Sequence, residues 1–308
     1  MEGVQLDLIA VGEVLIDLIS ANYVNNLSEV TAFEPHVGGS PANMAGNLAR
    51  LGWRTGLVAS VGNDGAGRLI QTQLATTGMD LSQLRIADQP TSLILVNRSR
   101  QSPEFEAYRE ADCQILPTQL LASFLGRARI LHTTAFALSR EPARSSILDA
   151  ARWAAAEGLQ LSIDANYAPK LWPDRAEARY IIGEYLSQGA LAKFSDVDYE
   201  RLFGEPVNDP PAAAQRILDM GAKLVCLTLG EHGAYILTQE EGLAIPVRPT
   251  EVLDTTGAGD AYWAGFLSGW LQGRSPQECG ESGRAMAELK LACVGPLPAK
   301  VERELLDR

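Results

Sequence analysis

The chain is poor in the residues that build metal centres and covalent cross-links. Its 308 residues include four cysteines and three histidines. Cys113, Cys226, Cys279 and Cys293 lie far apart and form no Cys-x-x-Cys pair, which argues against a disulfide frame and a zinc site. They read as buried free thiols of a reducing compartment. His36, His132 and His232 show no metal-ligand spacing. His132 and His232 read as packing or surface residues, because the sequence places no acid or nucleophile beside either. No run reaches the ~18 apolar residues of a membrane span, and the N-terminus lacks a charged-then-apolar signal segment, so a cytoplasmic protein is expected. Positive charge is also scarce. Against 38 acidic residues stand 26 Lys and Arg, a net charge of −12, which argues against nucleic acid or an anionic membrane as partner. Low-complexity tracts, internal repeats and long linkers are absent. What remains, 46 % hydrophobic and 21 % charged residues, suits one main domain over 1–308 with a sizeable core.

Strand and helix patterns alternate along much of this length. Leu6–Gly12 reads as a buried strand, and Glu13–Ile19 follows it. Further strands are expected at Thr55–Ser60, Thr91–Asn97, Phe105–Arg109, Ile130–Thr134, Leu159–Asp164 and Leu224–Gly230. Helices are expected through Leu74 to near Gly78, from about Pro142 to Glu157, over Arg175–Leu186 and over Pro211–Met220. Continuous apolar strands alternating with helices mean a parallel sheet covered on both faces. Residues 14–37 and 91–109 lack helical periodicity and would form a small separate sheet. Ala299–Arg308 reads as a charged surface helix or frayed tail. The five tryptophans, Trp53, Trp153, Trp172, Trp263 and Trp270, read as core or rim aromatics.

Two glycine loops carry the chemistry. Gly257-Ala258-Gly259-Asp260 opens a segment, Ala261–Leu271, that is apolar on nearly every side and therefore a buried helix. Its N-terminus would present unpaired N–H groups and the positive end of the helix dipole, a site for phosphate. Asp260 in the first turn is either a cap or a general base beside that phosphate cradle. The second loop, Val37–Gly52, contains Gly38-Gly39, then Ser40 as a cap, Pro41 at the first helical position and Asn43 in the first turn. Asp17 is either an outward strand residue or a carboxylate gripping substrate hydroxyls. Ligands in parallel α/β sheets sit beyond the carboxyl ends of the strands. Asp164, Asn166, Lys193, Ser195, Thr228 and Gly230 fall there.

Taken together, the two loops resemble the two signatures of the ribokinase-like sugar kinases, the phosphofructokinase B family. Val37–Gly52 is similar to the first and Leu253–Leu267 to the second, where Asp-Thr-Thr-Gly-Ala-Gly-Asp is highly specific. The order and spacing of other segments match as well, so the resemblance covers nearly the whole chain. It implies a three-layer α/β/α domain with a mostly parallel central sheet and a small β-sheet lid formed by the segments about 14–37 and 91–109. It implies transfer of the γ-phosphate of ATP to a hydroxyl, usually a terminal hydroxymethyl of a sugar. Asp260 would be the base, with an anion hole from the backbone of Gly257, Ala258 and Gly259. Asp17, Gly38, Gly39 and Asn43 would hold the sugar. Mg²⁺ would accompany ATP, and a monovalent cation such as K⁺ would lie near the Asp254–Thr256 loop. The lid often forms a dimer interface in the family, which implies a homodimer.

Within the family the chain is closest to fructokinases, with 2-keto-3-deoxygluconate kinases next. Glu104–Asp112 is similar to their lid segment, which makes Arg109 a sugar contact. Ile163–Trp172 resembles the segment Asp-x-Asn-x-Arg-x-x-Leu-Trp, which brings Asn166 to substrate and nucleotide. Leu227–Ala234 looks like the nucleotide loop, with Thr228, Gly230 and Gly233 near ATP; Lys193 and Ser195 join them on the cofactor side. Three positions depart from the pattern. The arginine of the Asp-x-Asn segment is Ala168, with Lys170 two residues on. The Asn-x-x-Glu motif reads Ser195-Asp196-Val197-Asp198, so that Asp198 would reach Mg²⁺ through a water. Ala285 stands where the adenine-side helix usually has asparagine. A ketose, fructose first, is the expected substrate. A 2-keto-3-deoxygluconate, ribose or nucleoside kinase and a non-catalytic sugar sensor are the alternatives.

Overall fold

The computed structural model describes residues 5–99 and 104–307. Residues 100–103 of the second expected lid segment, and the two ends of the expected domain, lie outside the described residues. Runs that are apolar on both faces become buried strands. In chain order the strands are β1 (Leu8–Val11), β2 (Leu15–Tyr23), β3 (Phe33–Gly38), β4 (Thr55–Gly62), β5 (Asp80–Ala87), β6 (Leu93–Arg98) and β7 (Phe105–Tyr108), then β8 (Ile130–Thr134), β9 (Gln160–Asp164), β10 (Leu191–Ser195), β11 (Leu224–Thr228), β12 (Ala234–Thr238) and β13 (Gly242–Ile245). The helices are α1 (Ser40–Arg50), α2 (Gly65–Leu74), α3 (Ala122–Leu125), α4 (Ala143–Ala156), α5 (Arg175–Leu186), α6 (Asp196–Phe203), α7 (Pro210–Leu218), α8 (Ala258–Leu271) and α9 (Pro276–Leu291).

Nine strands form one sheet in the order β13-β12-β11-β10-β9-β8-β1-β4-β5. From β5 to β11 every neighbouring pair is parallel, and β12 and β13 add an antiparallel edge. Every residue of β1 and β8 is buried, as a strand covered on both faces requires. One core cluster joins the sheet to α3, α4, α5, α6 and α7; a second joins it to α1, α2, α8 and α9. The result is the expected three-layer arrangement.

The edge strand β5 escaped the sequence reading because polar residues interrupt it. β5 carries Asp80, Ser82, Gln83 and Arg85 and is mostly half-buried. Helix α9 was expected only through the family resemblance at Ala285, although Ser275 and Glu278 form a capping box at its start. The C-terminal stretch is less detached than expected. Val301 and Leu306 are buried in the second core cluster, and the Arg303 guanidinium lies 3.9 Å from the centre of the Trp53 ring.

The remaining strands form a separate four-stranded sheet, β3-β2-β6-β7. Both expected lid segments contribute to it. Lys170, in the loop between β9 and α5, reaches across to it. Its ammonium donates to the Phe105 carbonyl at 2.8 Å and pairs with Glu106 at 2.6 Å.

Candidate active site

Helices α1 and α8 meet end-on at one carboxylate. The cap position of α1 is Gly39, with φ 115°, so Ser40 is the first helical residue and not the cap expected from the sequence. This frees its hydroxyl, which donates to Asp260 Oδ1 at 2.6 Å. One turn on, Asn43 Nδ2 donates to Asp260 Oδ2 at 3.0 Å. Both oxygens of Asp260 are therefore held from α1. The cap of α8 is Gly257, which sets aside the capping reading of Asp260. Burial raises the Asp260 pKa above the usual carboxylate range, while the Ser40 and Asn43 bonds and the charge of Lys193 counter part of that rise. A carboxylate shifted this way is a better proton acceptor.

Asp17, on β2 of the small sheet, completes an acidic pair. A Cβ on Gly38 would stand 2.0 Å from Asp17 Oδ2, so only glycine leaves room for this carboxylate. Burial, then the charge of Asp260, raises the Asp17 pKa to about 6.

Beside the acids lies the start of α8. Gly257 takes a left-handed conformation, φ 73°, and turns the chain into the helix. The first-turn amides of a helix have no partner inside it. Of the three residues expected in the anion hole, Ala258 has its amide on the Thr255 carbonyl at 3.2 Å. Gly259 lies against Lys193: a Cβ there would be 3.0 Å from the Lys193 ammonium. That ammonium is buried and pairs with both oxygens of Asp164, at 2.9 and 3.1 Å. Burial alone would lower the Lys193 pKa, but Asp164, Asp198 and Asp260 more than offset this and raise it. Lys193 thus carries a positive charge next to the N-terminus of α8.

The other expected residues divide. Asn166 is exposed just beyond β9, and its φ of 34° makes it the one non-glycine residue with positive φ among the described residues. Its amide donates to Asp164 at 3.1 Å. Such a conformation costs energy and clusters at functional sites. Thr228 ends β11, with its hydroxyl on the Phe194 carbonyl at 3.3 Å. Gly230 is open, with nothing within 4 Å of an added Cβ. Gly233 is closed instead, because a Cβ would meet the Ile245 carbonyl at 2.1 Å, so it serves the strand turn.

Ser195 and Asp198 form the capping box of α6. Asp198 accepts from the Ser195 amide at 2.9 Å, the Ser195 hydroxyl at 2.6 Å and the Tyr167 amide at 2.8 Å. Both oxygens accept hydrogen bonds, which gives the residue a capping role. The Ser-x-x-Asp spacing is that of a capping box and was readable as one.

Arg109 is also taken elsewhere. Its side chain is 0 % exposed, ion-paired with Asp112 at 2.6 Å and stacked 4.0 Å over the Phe136 ring. The expected sugar contact is thus a buried anchor at the root of the small sheet. Lys170 does not replace the missing arginine, since it holds Glu106. His132 is fully buried against Ser162, as its packing reading requires, and His232 is exposed.

Ser40 and Glu13 were missed as site residues. Glu13 follows β1 and is 1 % exposed. One of its oxygens accepts from Thr134 Oγ1 at 2.7 Å, and the other has no partner. Burial pushes its pKa up to about 8.

Two partly buried carboxylates that feel each other's charge, next to the start of a buried helix and a buried ammonium, fit a class: enzymes that phosphorylate a small alcohol. The comparison with known proteins agrees. The chain belongs to the pfkB family of carbohydrate kinases, whose profile matches residues 5–302. Its fold is ribokinase-like, a large mostly parallel sheet with helices and a smaller second sheet. The chain is similar to an ATP-dependent 6-phosphofructokinase of Thermoanaerobacterium thermosaccharolyticum, 35 % identical over 94 % of this chain and 89 % of that one. It is similar to a 2-dehydro-3-deoxygluconokinase of Bacillus subtilis, 32 % identical over 98 % and 94 % of the two chains. Among solved structures, the Halothermothrix orenii fructokinase superposes with a TM-score of 0.80 at 32 % identity, covering 94 % of this chain and 99 % of that one. Among the described residues no helix is long and apolar enough to cross a membrane.

Proposed function

We propose that the chain transfers the γ-phosphate of ATP to a hydroxymethyl group of a small neutral ketose, with fructose the first candidate. The observation that carries this reading is Asp260, fixed by Ser40 and Asn43 at the mouth of α8. In the reaction Asp17 accepts hydrogen bonds from sugar hydroxyls and sets the reacting one against Asp260. Asp260 takes the proton as the oxygen attacks phosphorus. The amides of Gly257 and Gly259 and the Lys193 ammonium face the charge on the phosphoryl group. The small sheet closes over the sugar and excludes water, which would otherwise consume ATP. Asn166, Thr228 and Gly230 border the nucleotide.

At Gly257 the nearest atom to an added Cβ is the Lys290 Cε at 3.9 Å, an ordinary contact, so the turn is not crowded where the phosphate chain would approach. Mg²⁺, if carried in with ATP, would supply neutralisation of charge on the transferred group. Among the described residues no cluster of three Asp, Glu, His or Cys is placed to hold a metal. The chain acts as one unit with the small sheet as lid. A homodimer through that sheet is the proposed assembly, on whose surface Tyr23 and Tyr108 are 66 % and 60 % exposed.

The relatives include enzymes named for a phosphorylated ketose and for a keto acid. Both would bring an anion into the pocket, and the nearby cations are committed. Arg109 is paired with Asp112, Lys170 with Glu106 and Arg98 with Glu34. This favours the neutral sugar. A coupled ADP-release assay on fructose, fructose 6-phosphate and 2-keto-3-deoxygluconate tests the choice; faster turnover of either anion sinks it. Asp260→Asn should lose about 10³-fold in turnover while still binding sugar and ATP. Substantial residual turnover removes Asp260 from the base role.

A further inference from the structure

One buried lysine near the site has no part in the scheme above. Lys290 lies at the end of α9, and its side chain is 8 % exposed. Its ammonium is 3.3 Å from Asp254 Oδ2 and 3.3 Å from the Cys293 carbonyl. Asp254 in turn accepts from the Thr256 amide at 2.9 Å and the Gly295 amide at 3.3 Å. The Leu253 and Asp254 amides both donate to the Leu291 carbonyl. Lys290 thus sits where the loop before α8 crosses the loop after α9. Its Cε is the atom nearest to where a Cβ on Gly257 would stand, at 3.9 Å. Lys290 is the cationic side chain that the structure pairs with Asp254 at this crossing.

We propose that Lys290 is a built-in monovalent cation. Its ammonium occupies the place a potassium or ammonium ion would take between a carboxylate and a carbonyl. It thereby fixes the 253–257 loop, and with it the helix start that faces the phosphoryl group. It also neutralises Asp254, whose charge would otherwise repel the incoming phosphate. Lys290 is a positioning residue, since it acts through the loop and not on the substrate. Two consequences follow for the phosphotransfer reading on which this rests. The enzyme works without added monovalent cation, although a K⁺ site was expected beside Asp254–Thr256. Removal of the ammonium leaves an ion-sized gap that still has its two oxygens.

The experiment uses Lys290→Met, which keeps an unbranched apolar stem, and Lys290→Ala. Turnover and ATP affinity by calorimetry are measured in tetramethylammonium chloride, then with KCl or NH₄Cl replacing it at constant ionic strength. Wild type should be indifferent to the exchange. The variants should lose about 10- to 100-fold in kcat and in ATP affinity, with sugar KM little changed, the range for a group that orients a site. K⁺ or NH₄⁺ should restore them with saturation, and Li⁺ should not. A saturable K⁺ requirement in wild type, variants that keep full activity without K⁺, or variants that no small cation rescues would each overturn the proposal. If Lys290→Ala fails to fold, Lys290→Met and the indifference of wild type still decide. Cation-dependent ATP binding by the variants alone, without turnover by any form on any sugar, would count against the substrate reading and leave this one standing.

Discussion

The two helix starts that meet at Asp260 look alike in sequence and differ in space. Each begins with a glycine in a conformation other residues avoid, φ 115° at Gly39 and 73° at Gly257. At Gly39 an added Cβ would stand 2.4 Å from the Glu13 carbonyl oxygen and 2.9 Å from Val14 Cα. At Gly257 it would meet nothing nearer than 3.9 Å. The first glycine lets the chain close on itself; the second meets only the Lys290 stem, at ordinary contact distance. The two helices accordingly contribute different chemistry. Helix α1 offers side chains, Ser40 and Asn43, to the base. In the proposed reaction α8 offers backbone amides to an anion, and a ligand that binds backbone tolerates more sequence change around it than one that binds side chains.

The sharpest way to break this comparison is Gly39→Ala. The methyl group would strike backbone, which cannot rotate away, and the residue would be strained as well. Strain and overpacking together should cost roughly 2–6 kcal/mol of stability. Urea unfolding measures it. A loss below about 1 kcal/mol would mean that the loop gives way easily and that α1 is not closed against Glu13.

A second test concerns the side chains of α1. A donated hydrogen bond favours the ionised carboxylate, so Ser40 and Asn43 hold the Asp260 pKa below where burial alone would put it. Ser40→Ala and Asn43→Ala should each push it further up. Less of the base is then ionised at neutral pH, and turnover there should fall about tenfold per lost bond. Activity should recover as pH rises, because the base ionises later. In wild type the acid limb of kcat/KM should lie near pH 6, where Asp17 titrates, since protonated Asp17 no longer accepts from the sugar. A variant whose loss is the same at every pH would show that Ser40 and Asn43 only pack α1 against α8.

Much of this arrangement was legible before the structure, for physical reasons. Ile130–Thr134 and Arg175–Leu186 fall where periodicity and caps put them. Asp260 and Asn43 were readable because each sits a fixed offset after a glycine turn. The failures share one cause, dependence on a partner distant in sequence. Ser40 was assigned the cap that Gly39 holds, and its real acceptor is 220 residues away. Arg109 was assigned to the sugar by the family resemblance, and Phe136, over which it stacks, lies far along the chain. Lys290 gave no local signal at all, since Asp254 lies 36 residues earlier, before two helices. Asp198 is the exception: its cap partner is local, and the family resemblance outweighed the spacing.

The smallest effect expected is at the open helix start, and it sharpens the comparison most. Gly257→Ala places a methyl group in a left-handed conformation, which costs roughly 1–2 kcal/mol. The added Cβ faces the Lys290 stem at ordinary contact distance, so no overpacking adds to that. The melting temperature should drop by only a few degrees, and kcat by less than about threefold, because the amide that faces the anion is kept. A stability loss equal to that of Gly39→Ala would show that the α8 start is closed too. A kcat loss of about 100-fold in a stable protein would place the methyl group in the path of the phosphoryl group. Either result would end the distinction between a glycine that lets chain meet chain and a glycine that meets only a side-chain stem.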